Sequence, residues 1–366
     1  MPKKIFFILL LSFLRIQTAN ALATIAYVAD AESDAVTVID TAADTVIDVV
    51  DVGNNPTGVA VSDSGEEVYV TNSDSDTVSV IDTSTDEVTA TISVGDTPTG
   101  VDVTPDGSTV YVTNSDADTV SVIDASTDEV TATIDVGTTP EEVVVSPDGS
   151  TVYVTNEDSD TVSVIDTSDN TVTATVDVGD ASIGIAVSED GAEVYVANSG
   201  SDTVSVIDTS DNTVTATVDV GDSPAGVAVT PDNGEVYVTN QDSDNVSVID
   251  TESDTVTDTI DVGSRPEGVS ITPDGEEAYV ANEDDDTVSV IDIPTHTEAE
   301  IINVGKSPHS IGDFIATIPV SPPGVGGCDC NLHGQKAHGS NNILLSLLFM
   351  GQLSLMLVFR QKIASL

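Results

Sequence analysis

The amino-acid sequence predicts an all-β protein, a seven-bladed β-propeller with four antiparallel strands in each 42-residue blade. Three observations predict this fold. Each 42-residue period contains four short apolar runs separated by turn residues. The repeat region begins without a first strand and ends with an extra one, so its two ends complement each other. A Tyr-Val-Thr/Ala-Asn/Asp element returns at this period, with its tyrosines, the only ones in the chain, at positions 27, 69, 111, 153, 195, 237 and 279.

The repeat from Gly95 to Val136 illustrates how one blade is predicted. Its second turn, Thr104-Pro105-Asp106-Gly107, combines a proline that presets φ with a glycine that is free to adopt positive φ. In its last strand, polar residues alternate with apolar ones, as expected of an exposed outer strand. The four predicted strands of this repeat are Thr99–Val103, Val110–Asn114, Thr119–Asp124 and Val130–Val136.

The two ends of the repeat region are predicted to close the ring. The chain enters the repeat at a second strand, Ile25–Asp30, and leaves it after a first strand, His309–Ile315. Pairing these strands completes seven blades and removes an open sheet edge that would otherwise favour aggregation. A β-solenoid is the structural alternative, but its rungs would not need complementary ends.

Charge is the most extreme property of the composition. The 366-residue chain has a formal net charge of −56, and residues 22–327 contain two basic residues against 63 acidic ones. A surface this negative repels nucleic acid and anionic membranes, and it attracts cations and basic partners. An acidic surface suited to a salty environment is the alternative explanation. The repeats have no Trp, so we expect Val, Ile and Ala to form the core, with the seven Tyr as wedges between blades.

The segments that flank the repeats predict export and attachment at the cell surface. Two early lysines, an apolar run and the pattern Ala19-Asn20-Ala21 are typical of a signal peptide cleaved after Ala21. The apolar run Ile343–Phe359 ends in basic residues, which favours a membrane-spanning or sorting segment with the propeller outside. The predicted organisation is a signal peptide at 1–21, a propeller at 22–317, a Pro/Gly/Cys-containing linker at 318–342, a hydrophobic segment at 343–359 and a short basic tail at 360–366.

The repeated motifs resemble those of the YVTN family of β-propeller repeat proteins. The resemblance rests on Tyr-Val-Thr-Asn together with Val-Ser-Val-Ile-Asp, Val-Gly-x-x-Pro and Ser/Thr-Pro-Asp-Gly, and it covers all seven repeats. It implies a surface-layer or exported protein, with lactonase-type and nitrous-oxide-reductase propellers as more distant relatives. The C-terminal tail resembles bacterial sorting signals, although twelve residues separate Cys330 from Ile343 and few basic residues follow the apolar run. A plain membrane anchor is the alternative.

The candidate ligand site lies where single blades depart from the repeat. The residue after the repeated proline begins the innermost strand at the mouth of the central channel, and in chain order it is Thr57, Thr99, Glu141, Ile183, Ala225, Glu267 and His309. Glu142 follows Glu141, and Arg265, the only arginine of the repeats, precedes Glu267. We therefore predict a site for a small polar ligand or a metal at Glu141, Glu142, Arg265, Glu267 and His309. Solvated loop residues that vary among repeats are the alternative explanation.

The turns between second and third strands are candidate calcium ligands. Alternating carboxylates on a short turn suit the flexible oxygen shell of Ca²⁺, although these turns lack the Gly and distal Glu of an EF-hand loop. Local hydrogen bonding also favours Asp and Asn in turns, which is the structural alternative. The predicted calcium ligands are Asp74, Asp76, Asp116, Asp118, Asp158, Asp160, Asp242, Asp244, Asp284 and Asp286.

Two cysteines follow the repeats. Cys328 and Cys330 are too close in sequence for an ordinary disulfide with each other. We predict processing or lipid modification at these residues, with zinc binding alongside His333 and His338 as the alternative.

These observations predict a binding or structural protein rather than an enzyme. The repeats contain two histidines, too few for a copper cluster, and they show no convincing Ser-His-Asp, phosphate-loop or dinucleotide motif. The predicted function is an exported, surface-tethered interaction module whose partner is an envelope protein or polysaccharide, with basic surfaces favoured. No cofactor is required, Ca²⁺ is the candidate cation, and nucleic acid is excluded as a partner. The alternative is a ligand-binding or hydrolytic, lactonase-like propeller with its site at the channel mouth.

Overall fold

A computed structural model describes residues 21–320, and these residues form a seven-bladed β-propeller. Seven four-stranded sheets follow one another around a central axis, and every strand pair within them is antiparallel. The predicted fold class is therefore confirmed, including closure of the ring by the last strand.

Each blade runs from an inner first strand to an outer fourth strand. We number the blades 1 to 7 from the one that contains the first strand of the chain. The first strands are β28 (Ile315–Val320) in blade 1, then β4 (Pro56–Val61), β8 (Pro98–Val103), β12 (Pro140–Val145), β16 (Ser182–Val187), β20 (Pro224–Val229) and β24 (Pro266–Ile271). The second strands are β1 (Ala21–Asp30), β5 (Glu67–Asn72), β9 (Thr109–Asn114), β13 (Thr151–Asn156), β17 (Glu193–Asn198), β21 (Glu235–Asn240) and β25 (Glu277–Asn282).

The outer half of each blade is equally regular. The third strands are β2 (Ala35–Asp40), β6 (Thr77–Asp82), β10 (Thr119–Asp124), β14 (Thr161–Asp166), β18 (Thr203–Asp208), β22 (Asn245–Asp250) and β26 (Thr287–Asp292). The fourth strands are β3 (Thr45–Asp51), β7 (Glu87–Ser93), β11 (Glu129–Asp135), β15 (Thr171–Asp177), β19 (Thr213–Asp219), β23 (Thr255–Asp261) and β27 (Thr297–Asn303). Single-turn 3-10 helices span Ala31–Ser33, Ser115–Ala117, Glu157–Ser159, Gln241–Ser243, Glu283–Asp285 and Ile293–Thr295.

The propeller has two faces that carry different connections. The upper face consists of the turns between second and third strands and the loops that join one blade to the next. The lower face consists of the turns between first and second strands and between third and fourth strands. Backbone hydrogen bonds join the two kinds of upper-face connection, for example from Ser115 N–H to Thr97 O at 2.9 Å.

The closing strand lies later in the chain than the sequence predicts. The prediction placed it at His309–Ile315, whereas β28 spans Ile315–Val320 and pairs with Ala21–Ala26 of β1. The preceding closing segment, residues 308–314, follows β1 less regularly, although Tyr27 N–H donates to Phe314 O at 2.8 Å. Ser310 and Gly312 have φ values of 50° and 98°, and such left-handed backbone interrupts a regular strand.

The repeated tyrosines are wedges between blades, as predicted. All seven side chains are buried. Tyr69 of blade 2, for example, packs with Val101, Val112 and Ile123 of blade 3 in one hydrophobic cluster. Because every blade contributes such a wedge, burial of apolar surface between blades stabilises the ring in the same way at each step.

The last two residues of the repeated element fix the connections around each blade. The buried Asn72 side chain accepts a hydrogen bond from Gly53 N–H at 3.0 Å and donates one to Ser79 Oγ at 3.0 Å. A β-carbon at Gly53 would lie 2.6 Å from that side chain, which explains why this glycine recurs with the asparagine. Thr71 Oγ1 accepts from Gly58 N–H at 2.7 Å and donates to Thr99 O at 2.6 Å, so this threonine of β5 ties the inner strands β4 and β8 together.

Candidate functional site

Four ionisable side chains meet on the upper face, and we call them the upper-face charge cluster: Arg265, Glu267, Glu283 and His309. The Arg265 guanidinium lies 2.7 Å from a Glu283 carboxylate oxygen and 3.5 Å from a Glu267 oxygen. His309 Nε2 lies 3.4 Å from the other Glu283 oxygen. The structure thus brings together three of the five residues predicted for the channel-mouth site and adds Glu283, which the sequence analysis did not predict.

The fold delivers these side chains from different elements to one place. Arg265 lies in the loop between blades 6 and 7, Glu267 is the second residue of β24, and Glu283 begins the 3-10 helix after β25. His309 belongs to the closing segment, and its N–H donates to Ala29 O at 2.9 Å. The cluster therefore links blades 6 and 7 to the end of the ring, and it depends on ring closure for one of its members.

Neighbouring polar groups complete the cluster. Gln241 Nε2 donates to Glu267 Oε2 at 2.7 Å, and Ser307 Oγ donates to Glu283 Oε1 at 3.1 Å. Glu267 is 6% exposed, whereas Arg265 remains about half exposed. A small polar molecule at the channel mouth would meet the arginine first.

Burial and ion pairing shift the pKa values of the two glutamates and the histidine of the cluster in different ways. Burial raises the pKa of Glu267 to about 7, although His309 and Arg265 oppose the rise. Hydrogen bonding to His309 and the nearby positive charges hold the pKa of Glu283 at about 2. Burial acts against protonation of His309, but contacts with Glu283 and Glu267 outweigh it and raise the pKa of the imidazole. The cluster therefore combines an ionised acid, a cation, a carboxyl group with a pKa of about 7 and an imidazole with a raised pKa, which suits proton transfer or binding of a polar ligand.

Glu141 occupies the equivalent position in blade 4 but belongs to a separate environment. It accepts a hydrogen bond from Ser115 Oγ at 3.0 Å. Burial raises the pKa of Glu141 to about 7, and the nearby carboxylates of Glu157 and Asp158 add to the rise. Within residues 21–320, Glu141 makes no hydrogen bond or ion pair with the upper-face charge cluster.

Glu142 points into the interior of the ring instead. It lines a central cavity of about 500 Å³, enclosed by inner strands and by lower-face turns that carry Pro105, Pro147, Pro231 and Pro273. Five carboxylate side chains line this central cavity: Asp63, Asp102, Glu142, Glu189 and Asp313. The other four acids were not predicted, because the sequence analysis compared blades at a single position of the inner strand. Comparing every inner-strand position would have singled out Asp102 and Asp313.

The carboxylates of the upper-face turns have structural partners. The second Asp of each turn has positive φ and accepts a hydrogen bond from a backbone N–H of the following loop, as Asp118 Oδ1 does from Thr139 N–H at 2.9 Å. The first Asp accepts from a loop hydroxyl in several blades, as Asp116 Oδ2 does from Thr97 Oγ1 at 2.8 Å. Among residues 21–320, no three His, Cys, Asp or Glu side chains converge as a metal site would require. Calcium binding at these turns stays a prediction.

Several predictions concern residues outside the described range. The signal peptide, the linker, the hydrophobic segment and the cysteines at 328 and 330 lie at 1–20 or 321–366, apart from the few flanking residues that enter β1 and β28. Within residues 21–320, no helix has the length and apolar character needed to span a membrane.

A model of one protein family matches most of the ring. Residues 60–149 and 133–317 match the family described as YNCE-like beta-propeller. The chain belongs to the YNCE-like β-propeller family. The family assignment agrees with the repeat architecture and leaves the activity open, because propellers of one fold serve many functions.

Solved structures share the architecture of this chain. A chain of Kuenenia stuttgartiensis hydrazine synthase is 25% identical, with a TM-score of 0.67 over 73% of this chain and 91% of that one. A functionally unknown protein from Desulfotomaculum acetoxidans DSM 771 is 16% identical, with a TM-score of 0.71 over 81% of this chain and 99% of its own. The second likeness shows the fold alone. No curated protein matches the sequence.

Proposed function

We propose that this protein is an exported, surface-layer-type propeller, tethered at the cell surface or envelope, that acts as a non-enzymatic binding module for a basic partner. The observation that carries the proposal is the charge of the ring, which has 63 acidic and two basic residues between positions 22 and 327. The partner we favour is an envelope protein or polysaccharide with a cationic surface, because opposite charge promotes association.

The upper face is the surface that we assign to the partner. Its loops contain exposed acids whose carboxylates accept no hydrogen bond from residues 21–320, including Asp96, Asp180 and Asp222. These loops lead directly into the inner strands, so their carboxylates border the channel mouth. The exposed lysine of the ring, Lys306, is far outnumbered there.

Binding can be tested with a lysine-rich peptide as the probe and a glutamate-rich peptide of equal length as its control. We expect saturable binding of the lysine-rich peptide that weakens as salt concentration rises. The triple variant Asp96→Asn, Asp180→Asn and Asp222→Asn should bind more weakly. The matched control neutralises three exposed lower-face acids by Glu66→Gln, Glu87→Gln and Glu129→Gln. An equal loss in both variants would reject the upper-face assignment.

The location can be tested by fractionating cells and treating intact cells with protease. A surface-tethered propeller should be recovered with the envelope and be cleaved from outside. Recovery only from the cytosol would contradict the proposal.

The alternative function is small-ligand binding or hydrolysis at the channel mouth, and the upper-face charge cluster is the observation that favours it. The Glu283 carboxylate contacts both the Arg265 guanidinium and the His309 imidazole there. Under this alternative, a metal or ligand that raises the melting temperature should lose its effect in Glu267→Ala and His309→Ala variants. If both variants keep every ligand-dependent shift, this alternative is wrong.

A further inference from the structure

The central cavity combines acidic and apolar lining in an unusual way. Its volume of about 500 Å³ falls within the range of small-molecule sites in proteins. Five carboxylates line it, and the other lining residues are valine, isoleucine, alanine, proline and glycine. Among the residues that the structure describes, no lysine, arginine or histidine lines the cavity.

Three of these acids replace residues that the repeat otherwise keeps small or apolar. Glu142 stands where five other blades have glycine, namely Gly58, Gly100, Gly184, Gly226 and Gly268. Asp102 stands where the other inner strands have Ala60, Val144, Ala186, Ala228 and Ser270. Asp313, in the closing segment, takes the place of Val61, Val103, Val145, Val187, Val229 and Ile271. Sequence variation at solvent-exposed positions does not explain these replacements, because the three residues lie inside the ring.

Glu142 carries an unpaired oxygen at the cavity wall. The residue is 4% exposed, and its Oε2 accepts a hydrogen bond from Ile185 N–H at 2.6 Å. Its Oε1 has no hydrogen-bond partner among residues 21–320, and the side chain lines the cavity. An ionised carboxylate this buried, held by one oxygen and open at the other, is costly unless it takes up a proton or a cation occupies the open side.

The neighbouring acids are also held in place by the fold. Asp102 accepts hydrogen bonds from Val103 N–H at 2.7 Å and from Val145 N–H at 2.6 Å. Asp313 Oδ1 lies 3.4 Å from Ser270 Oγ, which donates to it. Burial raises the pKa of Asp102 to about 7 and that of Glu142 well above its usual value, and repulsion from Asp313 adds to both shifts. A positive charge in the cavity would stabilise the ionised forms of both carboxyl groups.

The spacing of the acids selects the kind of cation. A single metal ion would require several carboxylates within one coordination shell, and among residues 21–320 no three converge in this way. An elongated molecule with separate ammonium groups could reach several acids at once. Methylene segments between those groups would pack against the valine, isoleucine and proline side chains of the wall.

We propose that the central cavity binds a linear aliphatic polyamine, with Glu142, Asp102 and Asp313 as the main contacts for its ammonium groups. The exposed acids Asp63 and Glu189 lie at the lower-face end of the inner strands, where they would guide the cation into the cavity. This inference does not depend on the proposed upper-face function, because the cavity lies at the other end of the channel.

The test is isothermal titration of the full chain with spermidine at constant ionic strength, with Mg²⁺ and propylamine as comparison probes. We expect one saturable site for spermidine and weaker binding of both comparison probes. Glu142→Gln and Asp313→Asn should each weaken spermidine binding about tenfold or more. Asp102→Ala should also weaken spermidine binding about tenfold or more. Alanine is the residue that blades 2, 5 and 6 have at this position.

Matched controls remove an acid elsewhere on the ring. Glu87→Gln and Glu129→Gln lie on the outer strands β7 and β11, and each should leave spermidine affinity within about twofold of the parent value. Circular dichroism would verify that every variant compared is folded. The proposal is overturned if the parent chain shows no saturable binding, if the controls weaken binding as much as the cavity variants, or if Mg²⁺ at equal ionic strength competes as effectively as a second polyamine.

Discussion

Asp30 occupies the position that the other six blades give to asparagine. Its side chain is fully buried, Oδ2 accepts a hydrogen bond from Thr37 Oγ1 at 2.5 Å, and Oδ1 has no partner among residues 21–320. Burial raises the pKa of Asp30 from 3.8 to about 7. The folded state therefore holds a proton that the unfolded state releases, and the stability of the protein falls as pH rises between these two values.

Asp30→Asn should stabilise the ring at alkaline pH. The amide cannot ionise, and its NH₂ group can donate to Thr37 as Asn72 donates to Ser79 in blade 2. We expect a gain of roughly 2 kcal/mol in the free energy of unfolding at pH 8. The gain should shrink towards pH 4, where the wild-type carboxyl keeps its proton in the folded state and is already about half protonated in the unfolded state. Denaturant unfolding at both pH values measures it, and an equal gain at each would contradict the explanation.

Two tyrosines at equivalent positions should respond differently to the same substitution. The Tyr279 hydroxyl donates to Asp44 Oδ1 at 2.7 Å, across the boundary between blades 7 and 1. The buried Tyr27 hydroxyl has no partner among residues 21–320. Tyr279→Phe should cost about 1 kcal/mol, whereas Tyr27→Phe should be neutral or stabilising because it removes an unsatisfied polar group. Chemical denaturation measures both changes in the free energy of unfolding. Equal losses for the two variants would show that the hydroxyl contacts do not contribute to stability.

At the scale of elements, the inner strands approach one another too closely for side chains at one position. A β-carbon at Gly184 would overlap Ala225 O of the next inner strand. The same position is glycine in five blades, and the exceptions are Glu142 and, in the closing segment, Ser310. Glycine is therefore required here by close approach of two backbones rather than by an unusual φ.

Gly184→Ala should destabilise the ring by about 2 kcal/mol or more, because β16 and β20 must move apart. The control is Gly234→Ala, where an added β-carbon would meet only the movable Asp232 carboxylate, at 3.1 Å. That control should cost less than about 1 kcal/mol. Thermal unfolding of the two variants compares them directly, and similar melting temperatures would refute the close-approach argument.

At the scale of the whole molecule, charge repulsion opposes folding. With 63 acids and two basic residues between positions 22 and 327, we expect NaCl to raise the melting temperature of the full chain, because salt screens repulsion between exposed carboxylates. A melting temperature that does not change with NaCl would show that surface repulsion contributes little.

The same measurement tests the calcium prediction. CaCl₂ is compared with NaCl at matched ionic strength, and excess EDTA serves as the control. If Ca²⁺ binds the Asp-rich turns at discrete sites, it should raise the melting temperature by several degrees beyond the NaCl effect. If NaCl reproduces the whole effect, the calcium prediction is wrong and the turn carboxylates act through the loop hydrogen bonds described above.

The sequence alone determined the number of blades, the order of strands and the closure of the ring. Because the pattern repeats every 42 residues, the same local structure is expected seven times, and each predicted turn and strand is supported by seven copies of the pattern. It also indicated Arg265, Glu267 and His309 as one group, because residues at equivalent positions of a ring face the same mouth.

Only the tertiary structure decided which acids face one another. Neighbouring residues of a strand point to opposite sides, so Glu141 joins Ser115 on the upper face while Glu142 enters the central cavity. The left-handed backbone at Ser310 and Gly312 moved the closing strand to Ile315–Val320, and no repeat pattern records that irregularity. Glu283 meets His309 of the closing segment, and Asp313 meets Ser270 of blade 7. Such long-range contacts depend on how the blades pack around the axis.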